Sequence, residues 1–194
     1  MFAQILFIKT NEKKTRFMLG VDDGLETVTY SVSRATYLSL GEPVRGATVG
    51  ESELYDIRRE DEIYRAVKKA CSSLAYSDRS RHALRSKLRE SGFSSEATNE
   101  AINRCIELGY LDEARQLERA VEREANYALR GRYHIKRKLA GKGYSLSAID
   151  RAIRLLVERG DVDFDSNFER LAQKRGASTD DERNALKYKF GYKI

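Results

Sequence analysis

Tryptophan is absent from the 194 residues, proline occurs once, and cysteine and methionine occur twice each. So little proline and so much charge, 34% of residues beside 41% hydrophobic, exclude a Pro-rich linker protein and fit a surface-rich folded chain. No apolar run approaches the ~18 residues of a membrane span. Met1-Phe2-Ala3-Gln4-Ile5-Leu6 has neither a basic start nor a small-residue cleavage site, so no secretory leader is expected. Two cysteines, Cys71 and Cys105, fall on apolar helix faces. They are expected as reduced core thiols of a cytoplasmic protein rather than as a disulfide or a zinc pair.

Acid is scarce where base is concentrated. Residues 1–60 carry 8 basic and 9 acidic side chains, whereas residues 61–194 carry 28 and 21. The basic part is also the repetitive part. Leu84, Lys87, Leu88, Gly92, Phe93 and Ser94 return 51 residues on as Ile135, Lys138, Leu139, Gly143, Tyr144 and Ser145. Ala101, Ile102, Ile106, Gly109 and Asp112 return as Ala152, Ile153, Val157, Gly160 and Asp163. Apolar, glycine and capping positions keep step together, the mark of a duplicated supersecondary unit. A third step of 51 sends Ile135 to Leu186, Lys138 to Lys189 and Leu139 to Phe190, so a partial third unit is expected.

Before the repeats, alternation through Phe17, Leu19 and Val21 and through Val28 and Tyr30, with Asp22-Asp23-Gly24 between, predicts a small β-meander. Ser33 caps a short helix, and Pro43 to Val49 is expected to be extended. From Glu60 onward the spacing is helical, with Ser77 or Asp78 capping the next helix and a long helix from Glu113 to about Leu129. Thr179 and Glu182 resemble a capping box. The expected fold is mainly α, with tandem three-helix repeats in an elongated curved array behind a small N-terminal β-rich region. The expected division is 1–58, 59–111, 112–162 and a partial repeat 163–194.

The chemistry lies in two acid-free stretches. Arg79, Arg81, Arg85, Lys87 and Arg89 fall between Asp78 and Glu90; Arg130, Arg132, Lys136, Arg137, Lys138 and Lys142 fall between Ala125 and Leu146. A solvated helix face ordinarily mixes signs to gain i,i+4 pairs. Two faces that do not mix them point to a polyanion, while plain solvation stays open as the other reading. Tyr133 and Tyr144 have rings that can stack on bases, yet Tyr144 follows a helix-stop glycine and reads better as a packing contact. His82 and His134 have no ligands at metal spacing. Asp161, Asp163 and Asp165 lack the glycine and distal glutamate of a calcium loop and read as helix caps. Gly141-Lys142-Gly143 lacks the phosphate-loop spacing. No metal, cofactor or catalytic trio is expected, and the chain reads as a non-enzyme.

These residues resemble the RecX family of recombination regulators. The likeness is carried by Leu74-Ala75-Tyr76-Ser77-Asp78-Arg79-Ser80, Leu84-Arg85-Ser86-Lys87-Leu88, Gly92-Phe93-Ser94 and Ile106 to Glu113. It is repeated in Ile135 to Leu139 and Gly143-Tyr144-Ser145. The resemblance implies a monomer that binds the filament of the RecA recombinase and single- or double-stranded DNA without sequence preference, and that restrains strand exchange. The basic residues 79, 81, 85, 87, 89, 132, 136, 137, 138 and 142 are the expected contacts. A stand-alone DNA-binding protein or repressor is the competing expectation.

Overall fold

A computed structural model describes residues 2–193. The chain is mostly helical and opens with a four-stranded sheet of order β3-β2-β1-β4. The strands are β1 (Ala3–Thr10), β2 (Arg16–Asp22), β3 (Thr27–Ser33) and β4 (Thr48–Val49). The chain divides into two compact units. One takes the chain up to Ser73 with Lys87–Leu108; the other takes Leu74–Ser86 with the chain from Gly109 on.

In the first unit, Ile5, Leu19, Val21 and Val32 come from alternate positions and bury one sheet face against Leu54 and Ile57. A bulge between Ile5 and Phe7 shifts the β1–β2 register. The Phe7 ring lies over Gly20, where a Cβ would stand 2.2 Å from a ring carbon, so any side chain here would have to displace that ring. Helix α1 (Arg34–Ser39) is capped by Ser33 as expected. The segment after Pro43 is extended only at Thr48–Val49, because Gly46 turns the chain and donates to the Ile5 carbonyl at 2.7 Å.

Helix α2 (Glu51–Tyr76) starts earlier than the spacing predicts and runs unbroken through positions 58 and 59. The Glu53 carboxylate accepts from Gly50 N–H at 2.7 Å and fixes that start. Asp61 then accepts from Ser31 N–H at 2.9 Å, tying α2 to the sheet. Helix α4 (Ser95–Glu107) is capped by Ser94, whose N–H and hydroxyl both donate to Glu62. Cys71 and Cys105 are free thiols with sulfurs 3.9 Å apart. Burial first, and Cys71 second, push the Cys105 thiol up to about 12, so it stays protonated.

The second unit holds α5 (Glu113–Glu122), a π-helical turn (Arg123–Tyr127), α6 (Arg132–Ala140), α7 (Leu146–Glu158), α8 (Phe164–Arg175) and α9 (Asp180–Phe190). Leu117, Val121, Ile135, Leu139, Ile149 and Ile153 pack into its main core. The expected single helix from Glu113 widens at Arg123. There Arg130 N–H reaches back to the Glu124 carbonyl at 2.9 Å, and Leu129 closes the segment at φ 51°. Asp163 caps α8, accepting from Asp165 and Ser166 N–H, and Thr179 with Glu182 forms the capping box of α9.

Helix α3 (Arg81–Glu90) has its cap at Ser80, not at Ser77 or Asp78. Ser80 Oγ accepts from Ala83 N–H at 3.1 Å and the residue is fully buried, which gives that hydroxyl a fixed place. The third copy also departs from the expected register. Gly92, Gly143 and Gly191 all adopt positive φ, and each is followed by an aromatic residue whose N–H bonds five residues back. These are Phe93 to Leu88, Tyr144 to Leu139 and Tyr192 to Lys187. The caps Ser80, Gly131 and Thr179 keep the same steps of 51 and then 48. Position 139 therefore corresponds to Lys187 and position 135 to Arg183, not to Phe190 and Leu186. The shortening lies in the first helix, since the 12-residue α8 replaces α5 and its π turn.

Leu88 and Leu139 hold matching positions and are 0% and 1% exposed. Each Leu→Ala change is expected to cost about 2–5 kcal/mol. Urea unfolding of the two variants measures this, and losses well below that range at both would contradict equivalent burial.

Candidate nucleic-acid interface

The ten predicted contacts sit on or beside α3 and α6. In α3, Leu84 and Leu88 point inward, which turns Arg81, Arg85 and Arg89 out along one i,i+4 row. Lys87 leaves from the opposite flank of the same helix. In α6, Ile135 and Leu139 are the inward pair, Arg132 and Lys136 repeat the Arg81 and Arg85 positions, and Arg137 and Lys138 follow.

The cations divide by partner. Arg81 meets Glu113 at 3.5 Å, and its N–H donates to the same carboxylate at 2.6 Å. Lys136 meets Asp150 at 2.5 Å. Lys138 donates to Glu124 at 2.6 Å. Glu124 is only 7% exposed, so Lys138 neutralises a buried carboxylate and is committed to the fold. Among the described residues Arg79, Arg85, Lys87, Arg89, Arg132, Arg137 and Lys142 have no carboxylate partner, and all but half-buried Arg79 are exposed. Arg89 hydrogen-bonds the Ser95 hydroxyl, and Arg132 lies 4.7 Å from the Phe164 ring centre. Acid-free stretches thus overstate the free charge, because Glu113, Glu124 and Asp150 arrive from neighbouring elements.

Within the second unit the start of α3 and the turn after α6 close a cleft of about 500 Å³, lined by Arg79, His82, Lys142 and Tyr144 among others. Ser80 Oγ donates to the Lys142 carbonyl at 2.9 Å across it. The start of α6 is held in the same manner. Gly131 N–H donates to the Phe190 carbonyl at 2.8 Å and Tyr133 N–H to the Gly191 carbonyl at 3.1 Å. A second cleft of about 430 Å³ brings Arg132 and Lys136 beside Arg154 of α7. Arg154 was outside the predicted set, since it belongs to a helix of mixed charge and only α7 packing on α6 places it there.

Tyr144 is in the core, 8% exposed, with its hydroxyl donating to Gln116 Oε1 at 3.3 Å; Tyr133 is 45% exposed. His134 has its pKa lowered, by burial first and then by Arg130, and so is neutral at pH 7 and adds nothing to the positive surface.

At Gly131 an added Cβ would stand 2.3 Å from the Gly191 carbonyl carbon, although φ is an ordinary −76°. Gly131→Ala is therefore expected to destabilise by about 1–3 kcal/mol through forced separation of the two backbones. Denaturant unfolding checks this; an unchanged midpoint would show that the segments do not touch.

A model of the first three-helix domain of RecX matches residues 66–105. Among curated proteins, the regulatory protein RecX of Lactobacillus johnsonii is 27% identical over 146 residues, covering 75% of this chain and 52% of its own length. That of Listeria monocytogenes is 24% identical over 151 residues, covering 77% and 55%. The chain thus spans about half the length of the curated relatives it matches. A crystal structure of a regulatory protein RecX superposes with TM-score 0.68 at 19% identity, covering 97% of this chain and 92% of that one. RecX from Lactobacillus salivarius superposes with TM-score 0.55 at 24% identity, covering 67% and 86%.

Proposed function

Since these likenesses make the chain a RecX family protein, we propose that it is a RecX-type regulator that binds the RecA nucleoprotein filament and restrains it without chemistry of its own. The observation that supports DNA contact is the set of exposed cations left unpaired around α3 and α6: Arg85, Lys87, Arg89, Arg132, Arg137 and Lys142. Such cations gain by displacing counterions from phosphates, and they hold a backbone in place without reading its sequence. Regulation is steric and electrostatic in this reading. The protein lies on filament and strand and hinders growth or exchange.

The same cations would serve a stand-alone DNA-binding protein. That reading predicts tight, sequence-selective duplex binding in the absence of recombinase.

The test is RecA ATP hydrolysis and strand exchange on single-stranded DNA with added protein. Inhibition at stoichiometric amounts is expected, and no effect would refute the proposal. Arg85→Ala with Arg137→Ala should lower DNA affinity and reduce the salt slope by about 1 per lost phosphate contact. Lys138→Ala should instead lower stability, by stranding buried Glu124, and leave the slope unchanged.

A further inference from the structure

Among the described residues Tyr76 and Tyr127 are the two most exposed tyrosines, at 88% and 80%. They are also one repeat apart, 51 residues, so duplication has kept the same side chain in water twice. Tyr76 is the last residue of α2, and Tyr127 is the last residue of the π turn that follows α5. Each opens the same short pattern, a tyrosine with arginines three and five residues on: Tyr76, Arg79 and Arg81, then Tyr127, Arg130 and Arg132. All six belong to the second compact unit. The third copy, at its own step of 48, has Arg175, Ser178 and Asp180 at these places and carries no such set.

Core packing does not explain the pair. A buried aromatic of this chain, Tyr144, is covered and hydrogen-bonded, whereas these two phenols are almost wholly open to solvent. The arginines that follow them in sequence have local contacts of their own. Arg130 lies 4.8 Å from the Phe190 ring centre and Arg132 4.7 Å from that of Phe164. Arg79 has its Nε buried with no partner, and Arg81 shares an exposed pair with Glu113. The acid nearest in sequence, Asp78, is engaged by Arg119 at 3.5 Å.

We propose that Tyr76 and Tyr127 are contacts for single-stranded nucleic acid, an unpaired base stacking on each phenol while the unpaired cations around α3 and α6 take phosphate. This rests on the nucleic-acid reading of the basic surface and adds which form is bound. An open ring needs a base face, and a duplex hides its base faces in the stack, so the preference is for unpaired strand. Stacking is tolerant of sequence, because every base has such a face.

The experiment is anisotropy titration of the full chain with a labelled oligo-dT, an abasic strand of equal charge and a hairpin duplex, each across a salt series. Tyr76→Ala/Tyr127→Ala should weaken oligo-dT binding about tenfold or more. It should leave the abasic strand, the duplex, the salt slope and the unfolding midpoint unchanged. Tyr76→Phe/Tyr127→Phe, which keeps both rings, should bind like the parent, as should Tyr55→Ala, a control tyrosine 62% exposed. Equal losses on oligo-dT and abasic strand, or no loss on oligo-dT, would overturn the stacking assignment while leaving phosphate contact standing. A parent chain that binds none of the three would overturn both.

Discussion

The structure of the second unit depends on how the middle helices begin. An α-helix opens with backbone N–H groups that have no partner of its own, and a start that is covered by other chain must find one. At α6 the partner is the turn that ends α9; at α3 the Ser80 hydroxyl takes Ala83 N–H and also ties the start to the turn after α6. Ser80 caps α3 and also donates to the Lys142 carbonyl, while Gly131 and Tyr133 donate to Phe190 and Gly191. The contact needs the following helix to stop in the right place. It does so through a glycine at positive φ, Gly143 in one case and Gly191 in the other. Helix start and helix stop are therefore coupled along the repeats, which explains why glycines and caps keep step in the sequence.

That coupling decides which charges stay free. Once Leu84 and Leu88, or Ile135 and Leu139, point inward, the flanks of each helix are assigned, and the neighbouring helices bring fixed acids to some of them. Glu124 sits where the chain widens into the π turn and is buried there, so it pairs Lys138 and removes it from the cations free for an anion. Asp150 of α7 does the same to Lys136, although both side chains remain partly exposed and the pair is weak. What remains for a polyanion is a subset of the cations.

Much of the fold was legible in the sequence because its signals are local. Alternation at Phe17, Leu19 and Val21 located β2, Ser94 and Ser145 located two helix starts, and Thr179 with Glu182 located a third. Local signals failed where tertiary partners decide. Ser80 became the cap of α3 because its hydroxyl has a second partner in Lys142, 62 residues away. The pairing of Arg81 with Glu113 and of Lys138 with Glu124 also joins separate elements, and no run of residues reveals it. Tyr76 and Tyr127 lie on the same step of 51 that aligns Leu88 with Leu139, but their exposure is a property of the folded chain that no step in the sequence carries.

The third copy shows what the duplicated design can lose. Its first helix lacks a π turn, which removes three residues and shifts every later position by the same amount. The stop glycine survives the shift, because the junction with α6 requires it, and Thr179 still starts α9 through its own capping box. The inward pair moves along the helix: Arg183 and Lys187 occupy the places of Ile135 and Leu139, with their cations 5.2 and 5.1 Å from the Phe168 ring centre, while Phe190 is buried and Leu186 packs against the same cluster. Long stems can cover an aromatic ring while keeping their charge wet. The exposed tyrosine and its arginines are missing from the same copy. Junction geometry is thus retained where surface chemistry is not, which separates the residues that build the repeat from those that the first two copies add to it.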